Sequence, residues 1–204
     1  TGSTGADVLD GGAGADTVLA GDGDDTILLS GSQGQNDTLG GGAGLDTILA
    51  VASGGNIVLL DTARITGVER FDGSGLAIVG QGSVNVLDFS GIDLRNVTSI
   101  QGLGGNDTLS GGLGDDLVVG GRGNDAFLFR FGLTTGDDTI SDFDAAGNDV
   151  IRLAGYNPGV NLAGATSFDA QGALIDLTLL GGDGTIRLSG VTNLAFTSED
   201  FLFV

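Results

Sequence analysis

The residues that could do chemistry here are aspartates at a fixed step. Asp7, Asp16 and Asp25 stand nine residues apart, Asp37 follows after twelve, and Asp46 returns to the nine-residue step. A second run, Asp107, Asp116 and Asp125, keeps the same interval. Each aspartate closes a glycine-rich stretch. The fullest copies are Gly11–Leu19 (GGAGADTVL), Gly41–Leu49 (GGAGLDTIL) and Gly120–Leu128 (GGRGNDAFL), all of the form Gly-Gly-x-Gly-x-Asp-x-U-x with U a large apolar residue. A carboxylate oxygen in a tight turn is a hard donor suited to calcium, and the glycines allow positive φ and close backbone approach. Asp and Gly are also ordinary turn residues, but turn chemistry alone does not impose a constant nine-residue step.

Composition points the same way. The chain of 204 residues carries 41 glycines and one proline. Of its 27 acidic residues only Glu69 and Glu199 are glutamates, leaving 25 aspartates, a bias toward loops rather than helix surfaces. The formal charge is −20 and the seven cations are all arginines, which disfavours nucleic acid and anionic membrane surfaces as partners and favours soluble cations. Cysteine and histidine are absent, which removes disulfides, the usual zinc ligand and the usual general base. No apolar run reaches the ~18–20 residues of a transmembrane segment. The start at Thr1, with neither methionine nor a signal-peptide pattern, reads as a fragment of something longer.

Short strands must position these turns. Two residues after each aspartate comes an aliphatic ladder, Leu9, Val18, Ile27, Leu39 and Ile48, then Leu109, Val118 and Phe127 in the second run. Thr17, Thr26, Thr38 and Thr47 fill the intervening outward position. Leu19, Leu28, Leu49 and Val119 follow the ladder and should face outward, either as a contact surface or covered within the chain. The Asp37 unit is degenerate, with Gln33 and Gln35 where glycines belong, and predicts a bulged turn with a weaker metal site or none.

This nonapeptide resembles the RTX, or hemolysin-type, calcium-binding repeat. The resemblance implies an all-β fold, a right-handed parallel β-roll or solenoid. In it six residues form a turn and three a strand, and two units complete a coil. It implies several Ca2+ ions between turns two units apart, pairing Asp7 with Asp25 and Asp25 with Asp46. The implied ligands are the carboxylates of Asp7, Asp16, Asp25, Asp37, Asp46, Asp107, Asp116 and Asp125. Backbone carbonyls join them around Gly12, Gly14, Gly21, Gly23, Gly42, Gly44, Gly112, Gly114, Gly121 and Gly123.

Four segments follow. Residues 1–49 form a first roll block and 101–132 a second. Between them, residues 50–100 lack the nonapeptide but hold five strand-like runs, NIVLL, ITGVERF, LAIV, VNVLDF and VTSI. These read as calcium-free solenoid coils, with a small antiparallel insertion as the alternative. Residues 133–204 read as an antiparallel β cap. Its opening stretch Gly136–Leu153 resembles the segment after the last repeats in serralysin-type secreted proteases, and places Asp138, Asp142 or both at the closing calcium site. The ending Glu199-Asp200-Phe201-Leu202-Phe203-Val204 resembles a type I secretion signal, or is a last edge strand.

Arg64, Arg70, Arg95, Arg130, Arg152 and Arg187 lie outside the turns and should pair with the acidic surface, while Arg122 faces solvent. With no His, Lys or Cys the chain is expected to be non-catalytic. The expected function is a calcium-binding module that folds after type I secretion from a Gram-negative cell and stabilises or carries a secreted or surface protein. A structural surface protein (S-layer or adhesin), assembling with itself or a cell-surface polysaccharide through calcium, is one alternative. The non-catalytic end of a secreted protease, lipase or polysaccharide-modifying enzyme is the other.

Overall fold

A computed structural model describes residues 1–30, 36–51, 55–59, 61–144, 148–157, 159, 161–192 and 200–204. The expected bulge at Gln33 and Gln35, Leu60 of the NIVLL run, and Glu199 of the terminal acidic pair lie outside the described residues. The molecule is an all-β parallel solenoid with a short antiparallel region near its C-terminus. Among the described residues no helix is long and apolar enough to cross a membrane.

The first roll uses β1 (Val8–Asp10), β2 (Thr17–Asp22), β3 (Thr26–Ser30), β4 (Thr38–Ala43) and β5 (Thr47–Val51). Alternate strands stack in parallel: β1, β3 and β5 on one wall, β2 and β4 on the other. The twelve-residue step before Asp37 leaves this alternation intact. Thr17 pairs with Thr38, and Thr26 with Thr47. The period-2 pattern of each strand sends Val18, Ile27, Leu39 and Ile48 into the core.

Five elements follow: β6 (Ile57–Val58), β7 (Ile65–Thr66), β8 (Arg70–Val79), β9 (Val86–Asp88) and β10 (Asp93–Gly104). All pair in parallel. Two of them are long because each serves two stacks. The first part of β8 (Arg70–Asp72) lies on β5, while its end (Ile78 and Val79) lies on β6. The first part of β10 pairs with that first part, and its end continues toward the second roll. The two rolls are therefore laterally offset and spliced by two spanning strands. Where β8 and β10 cross the splice they are irregular. Ser74 and Asn96 take positive φ (51° and 52°), and the register shifts between Arg95 and Val97. The short runs LAIV and VTSI are thus parts of longer strands, LAIV the end of β8 and VTSI the middle of β10, because the widened coil must cross both stacks.

The second roll adds β11 (Thr108–Ser110), β12 (Leu117–Arg122), β13 (Ala126–Arg130), β14 (Asp137–Ile140) and β15 (Val150–Ala154), again stacked in parallel. The antiparallel part is narrower than residues 133–204. It comprises β16 (Thr166–Asp169), β17 (Gly172–Asp176) and β18 (Thr185–Ser189), with β18 also parallel to β14. The coils persist past residue 132 because turn and ladder chemistry persists there. The ALIDLTLL run stops being a strand at Leu177. There Asp176 Oδ1 accepts from the Thr178 amide at 2.9 Å and starts a 3-10 turn ended by Gly181 at φ 85°. The final strand β19 (Phe201–Phe203) pairs in parallel with β15, with Phe201 buried.

Candidate metal centre

Stacking places the sixth-position side chains in columns along the turns. In each column one carboxylate oxygen accepts a hydrogen bond from the backbone N–H of its counterpart one coil earlier. Asp7 donates to Asp25 Oδ1 at 2.8 Å, Asp25 to Asp46 Oδ1 at 2.9 Å, and Asp46 to Glu69 Oε2 at 2.9 Å. On the opposite edge of that roll Asp16 donates to Asp37 Oδ1 at 2.8 Å. In the second roll Asn85 donates to Asp107 Oδ1 at 2.7 Å, Asp107 to Asp125 Oδ1 at 2.9 Å, and Asp125 to Asp149 Oδ1 at 2.8 Å. The facing edge pairs the Asp116 amide with Asp138 Oδ1 at 3.0 Å.

The second oxygen of each carboxylate decides what the columns can do. Among the described residues, Oδ2 of Asp16, Asp25, Asp46, Asp107 and Asp125 is buried with no hydrogen-bond partner. Where a partner exists it lies at a column end or in a local turn. Asp7 Oδ2 takes the Ser3 amide at 2.6 Å and its hydroxyl at 2.8 Å, Asp116 Oδ2 takes the Gly112 amide at 2.8 Å, and Asp149 Oδ2 takes the Asp144 amide at 2.9 Å. A buried ionised oxygen without a partner costs several kcal/mol.

The backbone around these oxygens is built for close approach. Gly42 and Gly44 have φ of 121° and 138°, and a Cβ on either would overlap the carbonyl oxygen of Gly21 or Gly23 in the turn before. Gly121 and Gly123 repeat this against Leu103 O and Gly105 O. Carbonyl oxygens thus line the gaps between stacked turns beside the orphaned Oδ2 atoms. Among the described residues no three acidic side chains converge on one point. An ion here would take most of its ~6–8 oxygens from the backbone. This donor set, hard oxygens only, fits Ca2+. The residues that would hold it are the aspartates with orphaned Oδ2 and the second- and fourth-position carbonyls of the turns.

Burial and like charge act on the same groups. Asp138 is pushed up to about 8, first by burial and then by the charge of Asp116. Burial leads again in raising Asp116 and Asp125, each to about 6. Asp46 and Asp149 are raised too, with burial foremost. Asp7 is lowered by its hydrogen bonds from the Ser3 backbone and side chain.

The closing aspartates separate. Asp138 is buried in the Asp116 column, whereas Asp142 is exposed and accepts the Gly120 and Gly121 amides at 2.9 and 2.8 Å, capping the Asp125 turn. Gly12, Gly14 and Gly114 take positive φ in their turns, and Gly112 donates to Asp116.

Several participants were not identified from the sequence. Asp149 was readable, since Gly147-Asn148-Asp149-Val150-Ile151 repeats the Gly123-Asn124-Asp125 pattern. Glu69 and Asn85 stand at sixth positions of turns too degenerate to count as copies. Fifth-position residues form a second clamp. Asp24 Oδ1 accepts from the Leu45 amide at 2.9 Å, Asp115 Oδ1 from Asp137 at 2.9 Å, and Asn106 Oδ1 from Asn124 at 3.1 Å.

Residues 1–31, 32–50 and 98–127 match the family of the RTX calcium-binding nonapeptide repeat, in four copies. These segments are RTX calcium-binding repeats. No curated protein gives a significant match to the chain. Among solved structures, the extracellular lipase LipA from Serratia marcescens is similar at 18% identity with a TM-score of 0.40. That similarity covers 100% of this chain and 39% of the lipase, so the chain spans well under half of the lipase's length. The hydrogen-bonded columns run beyond the matched segments, through Asp138 and Asp149 after the last of them and Glu69 and Asn85 between them.

The arginines pair mainly outside the turns. Arg70 and Arg95 both reach Asp93 (3.4 and 2.8 Å), Arg130 reaches Asp88 (2.7 Å), and Arg187 reaches Asp169 (3.0 Å). Arg64 donates to Asn36 O at 2.8 Å, and Arg122 is exposed.

Proposed function

We propose that this chain is a calcium-dependent folding module of a secreted or cell-surface protein, without catalysis of its own. The observation that carries the reading is the set of buried, partnerless Oδ2 atoms in the columns. Without a cation they oppose folding, and with one their desolvation is offset by coordination. Glycine adds to the requirement, because ordering it costs roughly 0.5–1 kcal/mol more than alanine per residue. Binding free energy then becomes folding free energy. Cytosolic free calcium is low and extracellular calcium lies near the millimolar range of weak outside modules. The chain would accordingly stay unfolded inside the cell, suited to passage through a type I channel, and fold outside. The lack of His, Lys and Cys supports placing any catalysis elsewhere in the parent protein.

Far-UV circular dichroism of the chain with calcium and with a chelator tests this. Chelation is expected to abolish the β signal and calcium to restore it. A chain that keeps its β spectrum in chelator overturns the proposal.

A further inference from the structure

The top turn of the second roll departs from every other turn in its column. Its sequence, Gly80-Gln81-Gly82-Ser83-Val84-Asn85-Val86-Leu87, is a degenerate repeat with Asn85 at the sixth position and Leu87 at the core position. Asn85 is 1% exposed. Its side-chain nitrogen donates to Gln81 O at 2.9 Å, to Ser83 O, to Gly102 O at 3.3 Å and to Asp107 Oδ1 at 3.0 Å. Its Oδ1 accepts from the Gln81 amide at 3.1 Å, which fixes the orientation of the amide.

Those four oxygens belong to a pattern. Gln81 and Ser83 are the second and fourth positions of the turn, Gly102 is the first position of the next turn in the column, and Asp107 is that turn's aspartate. In the turns below, the corresponding second- and fourth-position carbonyls are those of Leu103 and Gly105. Where Asn85 presents its side-chain nitrogen, that turn presents Asp107 Oδ2, buried and with no donor facing it. An amide nitrogen has two protons and here faces four acceptors, more than it can serve at full strength. The space is shaped for a centre that many oxygens can share, and a Cβ on Gly80 would come within 2.7 Å of the Asn85 amide carbon filling it.

We infer that the Asn85 side-chain amide takes the place of a calcium ion between the first two turns of the second column, giving that roll a metal-independent end. The amide supplies positive hydrogen-bond character to the carbonyl cage while bringing no charge. Asn85 also removes one carboxylate from the stack, which lowers the repulsion a folding nucleus must overcome. The second roll then has a turn that can close before any ion binds.

This inference rests on the calcium reading above, and the experiment separates the two. Calcium stoichiometry is measured on the full chain by equilibrium dialysis with atomic emission, for the wild type, Asn85→Asp and Asn85→Ala. Fluorescence of Tyr156, the single tyrosine, buried beside Phe131, follows folding of the second half during calcium titration. Asn85→Asp is expected to bind one more calcium per chain than the wild type and to show a steeper calcium dependence of the tyrosine signal. Asn85→Ala is expected to keep the wild-type stoichiometry while its calcium midpoint rises about threefold or more, since the donor is lost and nothing replaces it. If Asn85→Asp binds no additional ion, or if Asn85→Ala leaves the midpoint unchanged, Asn85 merely fills space and the inference is overturned. Should Asn85→Asp not fold in calcium, the Asn85→Ala midpoint decides alone. A wild type that binds no calcium would defeat the calcium reading itself.

Discussion

The two rolls share one motif and differ in nearly everything that surrounds it. In the first, the interior is aliphatic and small: Val18, Ala20, Ile27, Leu29, Leu39, Ile48 and Ala50. In the second, Phe127, Phe129 and Phe143 fill the corresponding space, with the Phe127 and Phe143 rings 6.0 Å apart. An aromatic side chain buries roughly 150–250 Å², so the coils that carry Phe127, Phe129 and Phe143 remove more apolar surface from water than the aliphatic first-roll coils. The ends differ as well. The first column begins at Asp7, whose carboxylate accepts from the amide and hydroxyl of Ser3. The second begins at Asn85, and the facing Asp116–Asp138 edge of that roll ends beside β18 of the antiparallel strands. On the function proposed above both rolls use a cation to satisfy their columns, and the first has far less holding it together without one. On that reading the same repeat sets where ions would bind, and the core behind it sets how much would depend on them.

The largest expected effect follows directly. Hydrogen exchange of the intact chain at falling calcium should show the amides of β1–β5 losing protection first, while β13, β15, β17 and β18 hold theirs to lower calcium. Simultaneous loss in both halves would erase the comparison and point to a single cooperative unit through the spanning strands β8 and β10.

A glycine substitution in each roll sharpens the contrast at intermediate size. Gly44 and Gly123 both have strongly positive φ, and a Cβ on either would strike the carbonyl of the turn before. Gly12 has φ of 82° but open space around it, so its alanine meets only backbone strain, about 1–2 kcal/mol. Gly123→Ala should lower the melting temperature in saturating calcium well beyond Gly12→Ala and shift the Tyr156 signal. Gly44→Ala should abolish protection in β1–β5 while leaving Tyr156 near its wild-type response, because damage there can be confined to the weaker roll.

Much of this was legible in the sequence, for an identifiable reason. The nine-residue step ties turn, carboxylate and inward side chain together, so Asp25, Ile27 and Gly23 announce one another. The stacking of Asp25 on Asp46 across a twelve-residue step depends only on that alternation. What was not legible lies where position is set by neighbouring coils. Glu69 and Asn85 join the columns because β8 and β9 stack on strands whose own turns are regular, and nothing in their local sequence spells the motif. The lateral splice was equally hidden, since LAIV and VTSI look like separate short strands until two partners claim opposite ends of each. Asp24 and Asp115 occupy a position the motif leaves free, and act only through the next turn's amide.

Acidity gives the smallest and most selective effect, and it too divides the rolls. In the second roll Asp138 is raised to about 8 and Asp116 and Asp125 to about 6, while in the first Asp46 is raised and Asp7 lowered. The raised groups bind protons more tightly when folded than their ordinary value of 3.8 would give. Their contribution to the metal-free fold is therefore fully present below that unfolded value. It is lost as pH rises through about 6 and then about 8. Calcium requires the same carboxylates deprotonated, so protons and calcium compete. Lowering the pH from about 8 to about 6 should raise the calcium midpoint of the Tyr156 signal, and calorimetry in buffers of different ionisation enthalpy near pH 7 should detect protons released on binding. Asp138→Asn should flatten this pH dependence for the second roll and leave the β1–β5 exchange profile unmoved. A pH dependence that survives Asp138→Asn unchanged would assign the competing proton to another carboxylate and remove this distinction between the rolls.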